Sequence, residues 1–416
     1  MNNIPLGWSC LQFKYAFKAV PFTTKIKQKE YALTGQYPII DQGEYFIGGY
    51  SDNNYGLITD IPVIAFGDHT RRFKYIDFPF IPGADGLKIY KPIYSETKFS
   101  FYQCLTLEFP NRGYARHNAL LQKCHFYLPP LEEQGRIVEK IEELFSDIDN
   151  GIKDLKTAQA QIKQYRQSVL KSAFEGKLYK TSEWKEVDIK KIISREKNAL
   201  KAGPFGSALK KEIYVANGYK IYGQEQVISQ NPFLGNYYIN EEKYQQLISC
   251  SVKPLDILIS LVGTIGKVLI LPKGIEKGII NPRLIKVTLD VDQYLPAFFK
   301  LYFESQYLRS LFKTKAHGAT MDVLNLSILK EIPFPLPTIP EQQQIVAEIE
   351  KRFLVADEME KAVNDSLLQA EKLKQSILKQ AFAGKLVPQN PNDEPAAVLL
   401  ERIKAAKENS TKGKNK

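Results

Sequence analysis

Leu128-Pro129-Pro130-Leu131-Glu132-Glu133-Gln134 returns 208 residues later as Leu336-Pro337-Thr338-Ile339-Pro340-Glu341-Gln342. The same offset carries Ile137, Val138, Ile141, Glu142 and Phe145 onto Ile345, Val346, Ile349, Glu350 and Phe353. It also carries Leu170-Lys171-Ser172-Ala173-Phe174-Glu175-Gly176-Lys177-Leu178 onto Leu378-Lys379-Gln380-Ala381-Phe382-Ala383-Gly384-Lys385-Leu386. A repeat at constant spacing is one architectural unit used twice. The stretches between the copies show no comparable similarity. The chain therefore reads as variable block, fixed helix, variable block, fixed helix.

The fixed segments are helical. No proline occurs from Glu132 to Phe174, and Ile141, Ile148, Leu155, Ile162 and Val169 recur every seven residues. Ile137, Leu144, Ala158 and Tyr165 fill the intervening apolar positions. In the second copy the corresponding row is Ile349, Ala356, Val363, Ala370 and Ile377, with Ile345, Met359 and Leu373 alongside. Such a heptad seam predicts two coiled-coil helices, each roughly 65 Å long at about 1.5 Å per residue. Gly176 and Gly384 stand where a helix stops, and Pro337 and Pro340 stand where one can begin. Two matched seams in one chain predict antiparallel pairing of the helices. The competing reading is a seam used only for self-association.

Length and composition set the frame. A chain of 416 residues is too long for one core. Cys10, Cys104, Cys124 and Cys250 and the histidines His69, His117, His125 and His317 are scattered. That excludes zinc-ligand spacing and fits free thiols in a reducing cytoplasm. The N-terminus lacks the basic-then-apolar pattern of a signal peptide, and the most apolar window, Asp256 to Pro272, is too short and interrupted to span a bilayer. The formal charge of +11 is concentrated in the variable blocks, with +4 in residues 1–127 and +6 in residues 181–335. A basic excess suits a polyanion, although solubility alone also explains such a charge.

The first block alternates aromatic and β-branched residues with turns, predicting strands at Pro62–Phe66 and Leu105–Phe109. Its cationic clusters, Asp68-His69-Thr70-Arg71-Arg72 and Asn111-Arg112-Gly113-Tyr114-Ala115-Arg116-His117, suit phosphate and base-edge contacts. In the second block Asp256–Ser260 and Lys267–Leu271 read as strands around Gly263-Thr264-Ile265-Gly266, and Leu295–Phe312 reads as a helix with a core-facing apolar side.

Enzyme motifs fail. Gly266-Lys267 lacks the phosphate-loop glycine at Leu261 and the hydroxyl residue at Val268. Asn281-Pro282-Arg283-Leu284 departs from the amino-methyltransferase motif at Arg283 and Leu284. Glu175-Gly176-Lys177 is better explained as a helix end, since its repeat partner is Ala383-Gly384-Lys385. No catalytic or metal-binding constellation is found.

Taken in order, these motifs resemble the specificity subunits of type I DNA restriction–modification systems. Leu-Pro-x-x-x-Glu-Gln opening each helix and Ala-Phe-x-Gly-Lys-Leu closing it carry the likeness, with Trp8 and Trp184 opening the blocks. Tyr219-Lys220-Ile221-Tyr222-Gly223-Gln224 and Asp256–Val268 resemble a target-recognition domain of that family. The resemblance implies a mixed α/β fold with a pseudo-two-fold internal repeat. Two target-recognition domains (1–127 and 181–335) would alternate with antiparallel coiled-coil spacers (128–180 and 336–390), followed by a basic tail (391–416) expected to be disordered.

It implies a non-catalytic, cytoplasmic chain that reads a bipartite site in double-stranded DNA while the helices fix the gap. Partners would be two modification subunits and two restriction subunits, with S-adenosylmethionine and ATP bound there and no cofactor here. Arg71, Arg72, Arg112, Arg116, Lys201, Gln224, Arg283 and Lys315 are the candidate DNA-contacting residues. A stand-alone DNA methyltransferase or nuclease, and a coiled-coil scaffold for proteins, are the alternatives.

Overall fold

The computed structural model describes residues 4–83, 86–110, 115–179, 183–261, 266–308, 310 and 325–413. The chain divides into two compact units, unit 1 from Met1–Leu155 with Asp365–Lys416, and unit 2 from Lys156–Asn364.

Among the described residues of unit 1 are strands β1 (Ser9–Gln12), β2 (Phe17–Ala19), β3 (Tyr37–Ile40), β4 (Gly49–Ser51), β5 (Val63–Gly67), β6 (Phe73–Ile76), β7 (Ile81–Pro82), β8 (Leu87–Pro92) and β9 (His125–Leu128). Helix α1 (Thr97–Cys104) follows β8, and the long helix α2 (Leu131–Phe174) follows β9.

Unit 2 carries β10 (Lys185–Val187), β11 (Leu200–Ala202), β12 (Tyr219–Tyr222), β13 (Tyr238–Ile239), β14 (Ile257–Ser260), β15 (Val268–Ile270), β16 (Gly278–Ile280), β17 (Leu284–Val287) and β18 (Phe334–Leu336). Its helix α3 (Pro296–Glu304) precedes the second long helix α4 (Ile339–Ala381), and α5 (Ala396–Gly413) closes the chain.

The two units share one topology. In unit 1 the antiparallel sheet β2-β8-β5-β6 faces the sheet β4-β3-β7, in which β3 and β7 are parallel. Unit 2 repeats this with β11-β17-β14-β15 and β13-β12-β16, where β12 and β16 are parallel. Strand β5 is buried throughout, because its alternate residues serve two cores. Ile64 and Phe66 join the core with α1 and α2, whereas Val63 and Ala65 join Ile40, Ile76 and Phe80. In β14, Ile257 and Ile259 join the core with α3, and Leu258 joins Ile221 and Ile279.

The likeness extends to short stretches of sequence, correcting the reading that the segments between the helical copies show no comparable similarity. Ala19-Val20-Pro21-Phe22 leaves β2 as Ala202-Gly203-Pro204-Phe205 leaves β11. Tyr37-Pro38-Ile39-Ile40-Asp41-Gln42 forms β3 and its exit as Tyr219-Lys220-Ile221-Tyr222-Gly223-Gln224 forms β12 and its exit. The offsets are 183 and 182 residues, not 208, so a search at the helical spacing passes over them.

The repeated Glu-Gln fastens each helix to its unit. Trp8 donates its indole N–H to Glu133 at 3.0 Å, and Trp184 donates to Glu341 at 3.5 Å. Gln134 accepts from the Glu96 amide and donates to the Pro129 carbonyl. Gln342 likewise accepts from the Leu295 amide and donates to the Pro337 carbonyl. All four repeat residues are buried, which explains why both copies keep them.

Both helices end at a left-handed glycine, Gly176 at φ 70° and Gly384 at φ 67°. Lys177 and Lys385 donate back to the Ser172 and Gln380 carbonyls, closing the caps.

Within each unit the helical segments run antiparallel. In unit 2, Gln159 donates to Asn364 and Arg166 stacks over Phe353; in unit 1, Lys374 stacks over Phe145. The seam residues Ile141 and Ile377 in unit 1, and Val169, Ile349 and Ala356 in unit 2, are buried. Ile148, Leu155 and Ala370 of unit 1, and Ile162 and Val363 of unit 2, are half-buried. Tyr165, Met359 and Leu373, expected to share the seam, are instead exposed. Two helices in contact cover one row each, and these side chains turn away from it.

Three further expectations change. Leu105–Phe109 is not a strand: Leu105, Thr106 and Leu107 bond back to the end of α1, and their alternation reflects packing on the core. Helix α3 stops at Glu304 because Ser305 is extended, residues 306–308 are helical again, and Leu311 and Phe312 lie outside the described residues, while Phe298, Phe299, Tyr302 and Phe303 form core as expected. The tail expected to be disordered contains α5. Its Ala396 amide bonds to the Gly7 carbonyl, Leu400 packs beside Leu128, and Asp393 pairs with Arg136 at 2.5 Å.

Candidate nucleic-acid interface

In unit 1 three loops meet at one end of the four-stranded sheet. The turn joining β5 to β6 is fixed by mutual bonds between Gly67 and residues 71–72, with Arg71 in the left-handed region at φ 63°. Asp68 is buried and accepts from the amides of His117 and Asn118 at 2.8 and 2.6 Å, which draws Arg116 to the turn. Gln42 receives the His69 amide on its side chain and the Thr70 hydroxyl on its carbonyl. Lys74 is buried and donates to the carbonyls of Asp41 and Tyr45, which holds the loop after β3. Burial pushes the Lys74 ammonium below its ordinary range, and Asp41 opposes that shift. Lys74 is therefore a structural cation.

The cationic side chains at this end differ in freedom. Arg71 reaches the Phe109 carbonyl, and Arg72 pairs with Glu44 at 2.9 Å. Arg116 is exposed and lines a 490 Å³ cavity with Lys25, His69 and Lys88. Arg71 and Arg72 thus stand on the turn, and the bonds from His117 and Asn118 to Asp68 bring the neighbouring Arg116 to its start. Arg112 lies outside the described residues.

In unit 2 the equivalent end is built from the same strands. Gln224 donates to the Ser260 hydroxyl at 2.8 Å. Asn281 bonds to the Tyr222 carbonyl through its amide and caps the Arg283 amide with its side chain. Leu261 donates to the Arg283 carbonyl, and Gly203 donates to the Leu284 carbonyl. Arg283 is exposed there. Lys201 is not part of the cluster. It lies within β11 opposite the buried Lys286, on the face turned toward the second sheet. Lys315 lies outside the described residues.

Below the cluster, Asp256 is fully buried and accepts from the Thr288 hydroxyl and the Lys253 amide. Desolvation holds its carboxyl above the usual range and the neighbouring Lys286 ammonium below its own, with the two groups 3.9 Å apart.

Sequence reasoning selected Gln224 and missed Gln42, its structural counterpart. The shared Tyr-x-Ile-x-x-Gln was the available signal. Chemically, each end offers amides, hydroxyls and guanidinium groups on rigid strands, the donors and acceptors that base edges and phosphates need. Among the described residues no group of histidine, cysteine, aspartate or glutamate could hold a metal ion. No described helix is long and apolar enough to cross a membrane.

The family described as "Type I restriction modification DNA specificity domain" matches residues 21–157 and 181–369, one match for each unit's block and adjoining helix. The chain is 30% identical over 310 residues to the type I restriction enzyme EcoBI specificity subunit of Escherichia coli, covering 68% of this chain and 65% of that one. It is 28% identical over 306 residues to the EcoKI specificity subunit of Escherichia coli strain K12, covering 67% and 63%. The chain thus spans a little under two thirds of the length of these relatives. A solved structure, described as the structural basis of complex assembly and conformational transition of the type I R-M system, is similar with a TM-score of 0.66 and 17% identity. That match covers 92% of this chain and 99% of the other. It shows the fold.

Proposed function

The chain belongs to the type I restriction modification DNA specificity family, and we propose that it is the sequence-specific DNA-binding subunit of a type I restriction–modification complex. Unit 1 reads one half of a split target and unit 2 reads the other. The paired helices set the unread gap, so two domains on one chain gain effective concentration for the second half-site. The observation that carries this reading is the duplicated topology, with a cluster of polar and cationic loop residues at the same end of the sheet in both units.

The chain is non-catalytic in this reading. Methylation belongs to two modification subunits with S-adenosylmethionine, and ATP-driven cleavage belongs to two restriction subunits, all in the cytoplasm. Leu354, Val355 and Met359 in unit 2, and Leu368 and Leu373 in unit 1, are exposed apolar side chains on α4 that suit a protein partner.

The test is a domain exchange. Replacing residues 184–335 by the corresponding block of a relative should change one half of the methylated motif, read by sequencing methylated sites, and leave the other half intact. Simultaneous change of both halves, or no DNA binding by the chain with its modification subunits, rejects the reading. A methylation assay on the isolated chain separates it from a stand-alone methyltransferase.

A further inference from the structure

Phe205 is 89% exposed, although it stands in a loop held on both sides. On one side, a Cβ at Gly203 would fall 1.8 Å from the Asn281 carbonyl oxygen, so the chain is pressed against that segment and only glycine fits. On the other, the turn Gly206–Ala208 leads to Leu209, buried in the core with Ile221 and Leu258. Within the turn, the Ala208 amide bonds to the Phe205 carbonyl at 2.8 Å. The ring is presented by rigid backbone rather than by a slack loop.

Its counterpart in unit 1 behaves differently. Phe22, at the same place after β2, is half-buried and packs against the core of Ile40, Val63 and Phe80. The shared Ala-x-Pro-Phe motif therefore buries its ring in one unit and projects it in the other. On this loop, and on the segment after Asn281 against which it is pressed, the exposed cations Lys210, Lys211 and Arg283 outnumber the exposed acid Glu212. That balance favours a polyanion over an acidic-rimmed protein patch.

We propose that Phe205 is an aromatic wedge by which unit 2 stacks against a base step of its half-site. This deepens the DNA-binding reading and rests on it. Apolar side chains inserted at base steps partly unstack them, and stacking on a base tolerates sequence while strengthening contact. The ring needs no hydrogen bond to do so, which suits a residue flanked by base-reading polar groups.

The experiment uses the full chain with its modification subunits and a duplex bearing the methylated target, with 2-aminopurine in the second half-site. Parent protein should raise the 2-aminopurine fluorescence on binding. Phe205→Ala should lose that rise and weaken binding by about tenfold or more, with an unchanged thermal midpoint and salt slope. Phe205→Trp should retain both signals. Phe22→Ala should lower the thermal midpoint and leave the second half-site signal intact.

Parental affinity and fluorescence in Phe205→Ala overturn the wedge. So does a variant that binds DNA normally but loses a modification subunit, which would place a protein on the ring. Failure of the parent itself to bind DNA removes the subunit reading and the wedge with it, and is recognised because parent and variant fail alike.

Discussion

Arg166 lies 2.5 Å from Asp357, and the positions 208 residues from each, Lys374 and Asp149, meet at the same 2.5 Å. The cation in each pair also covers a ring, Phe353 or Phe145, themselves 208 residues apart. Internal repetition is thus expressed in contacts as well as in sequence. The two halves differ in one contact, because Arg166 also reaches Glu360 at 3.1 Å.

Double-mutant cycles should resolve that difference. Removing Arg166 and Asp357 singly and together should give a coupling of about 0.5–1 kcal/mol in urea unfolding, as for partly exposed ion pairs. The Lys374–Asp149 cycle should give no more, and the two cycles should add. Zero coupling between Arg166 and Asp357 would show that Glu360 and the stacking on Phe353 hold the guanidinium without it.

Glu133 gives a pH dependence. Desolvation holds its carboxyl above the usual range, opposed by the Trp8 indole, Arg136 and the Gln389 side chain and reinforced by Asp393. Pro130 stands where the second copy has Thr338, whose amide and hydroxyl both bond to Glu341. With the folded pKa raised, the folded state holds the proton more tightly. Stability from this group is full below the ordinary value of 4.5 and is lost as pH rises through the folded value. The thermal midpoint of the parent should therefore fall more between pH 4.5 and 8 than that of Glu133→Gln. Parallel curves would show that Glu133 does not titrate in this window.

Core truncations should be severe in both units. Phe66→Ala should cost about 3–5 kcal/mol and Ile259→Ala about 2–5 kcal/mol, since both are fully buried at the centre of a sheet. Denaturant unfolding checks this, and losses below about 1 kcal/mol would mean that the sheets repack around the gap.

The exposed arginines should separate by role if the chain reads DNA. Arg283→Ala should relax one position of the second half-site by about 1–3 kcal/mol, because the fork is uncommitted to any ion pair among the described residues. Arg72→Ala, already paired with Glu44, should mainly flatten the salt dependence by about one unit of slope. Binding titrations across salt and target variants distinguish them, and unchanged binding in both rejects the assignment.

The helices should set the target gap. A matched insertion of four residues in α2 between Ile148 and Ile162, and in α4 between the equivalent positions, adds about 6 Å of rise. It should lengthen the unread spacer by one or two base pairs at 3.4 Å each. An insertion in one helix should spoil the seam and lower stability. An active, doubly extended variant with the original spacer would show that something else measures the gap.

Legibility followed the length of each signal. The seam from Ile141 to Val169 spans four heptads, so its period survives substitution and both helices could be read from it. The buried Glu133-Gln134 and Glu341-Gln342 were visible as repetition, but their partners Trp8 and Glu96, or Trp184 and Leu295, are remote in sequence. Leu105–Phe109 alternated like a strand because every second residue packs on a core that no pairing partner shares. Helix α5 escaped because Ala396 and Leu400 bury only one short stretch of an otherwise polar segment. Gln42 and Phe22 went unmatched because the motifs they share with unit 2 are six residues or fewer, at a different offset from the helices.

Unit 1 draws on both flanks of the chain, whereas unit 2 is one uninterrupted run. During synthesis this imposes an order. Unit 2 has all of its residues once Asn364 has emerged, while Ile377, Leu378 and Ala381, which complete the unit 1 core, are still to come. At about 5–20 residues per second, Ile137 and Ile141 wait roughly 10–50 s for that partner. The nascent first unit must spend this interval with an apolar helix face uncovered. It is the part of the molecule with most need of a chaperone, and a ribosome that stalls after Asn364 would release a finished second unit attached to an unfinished first.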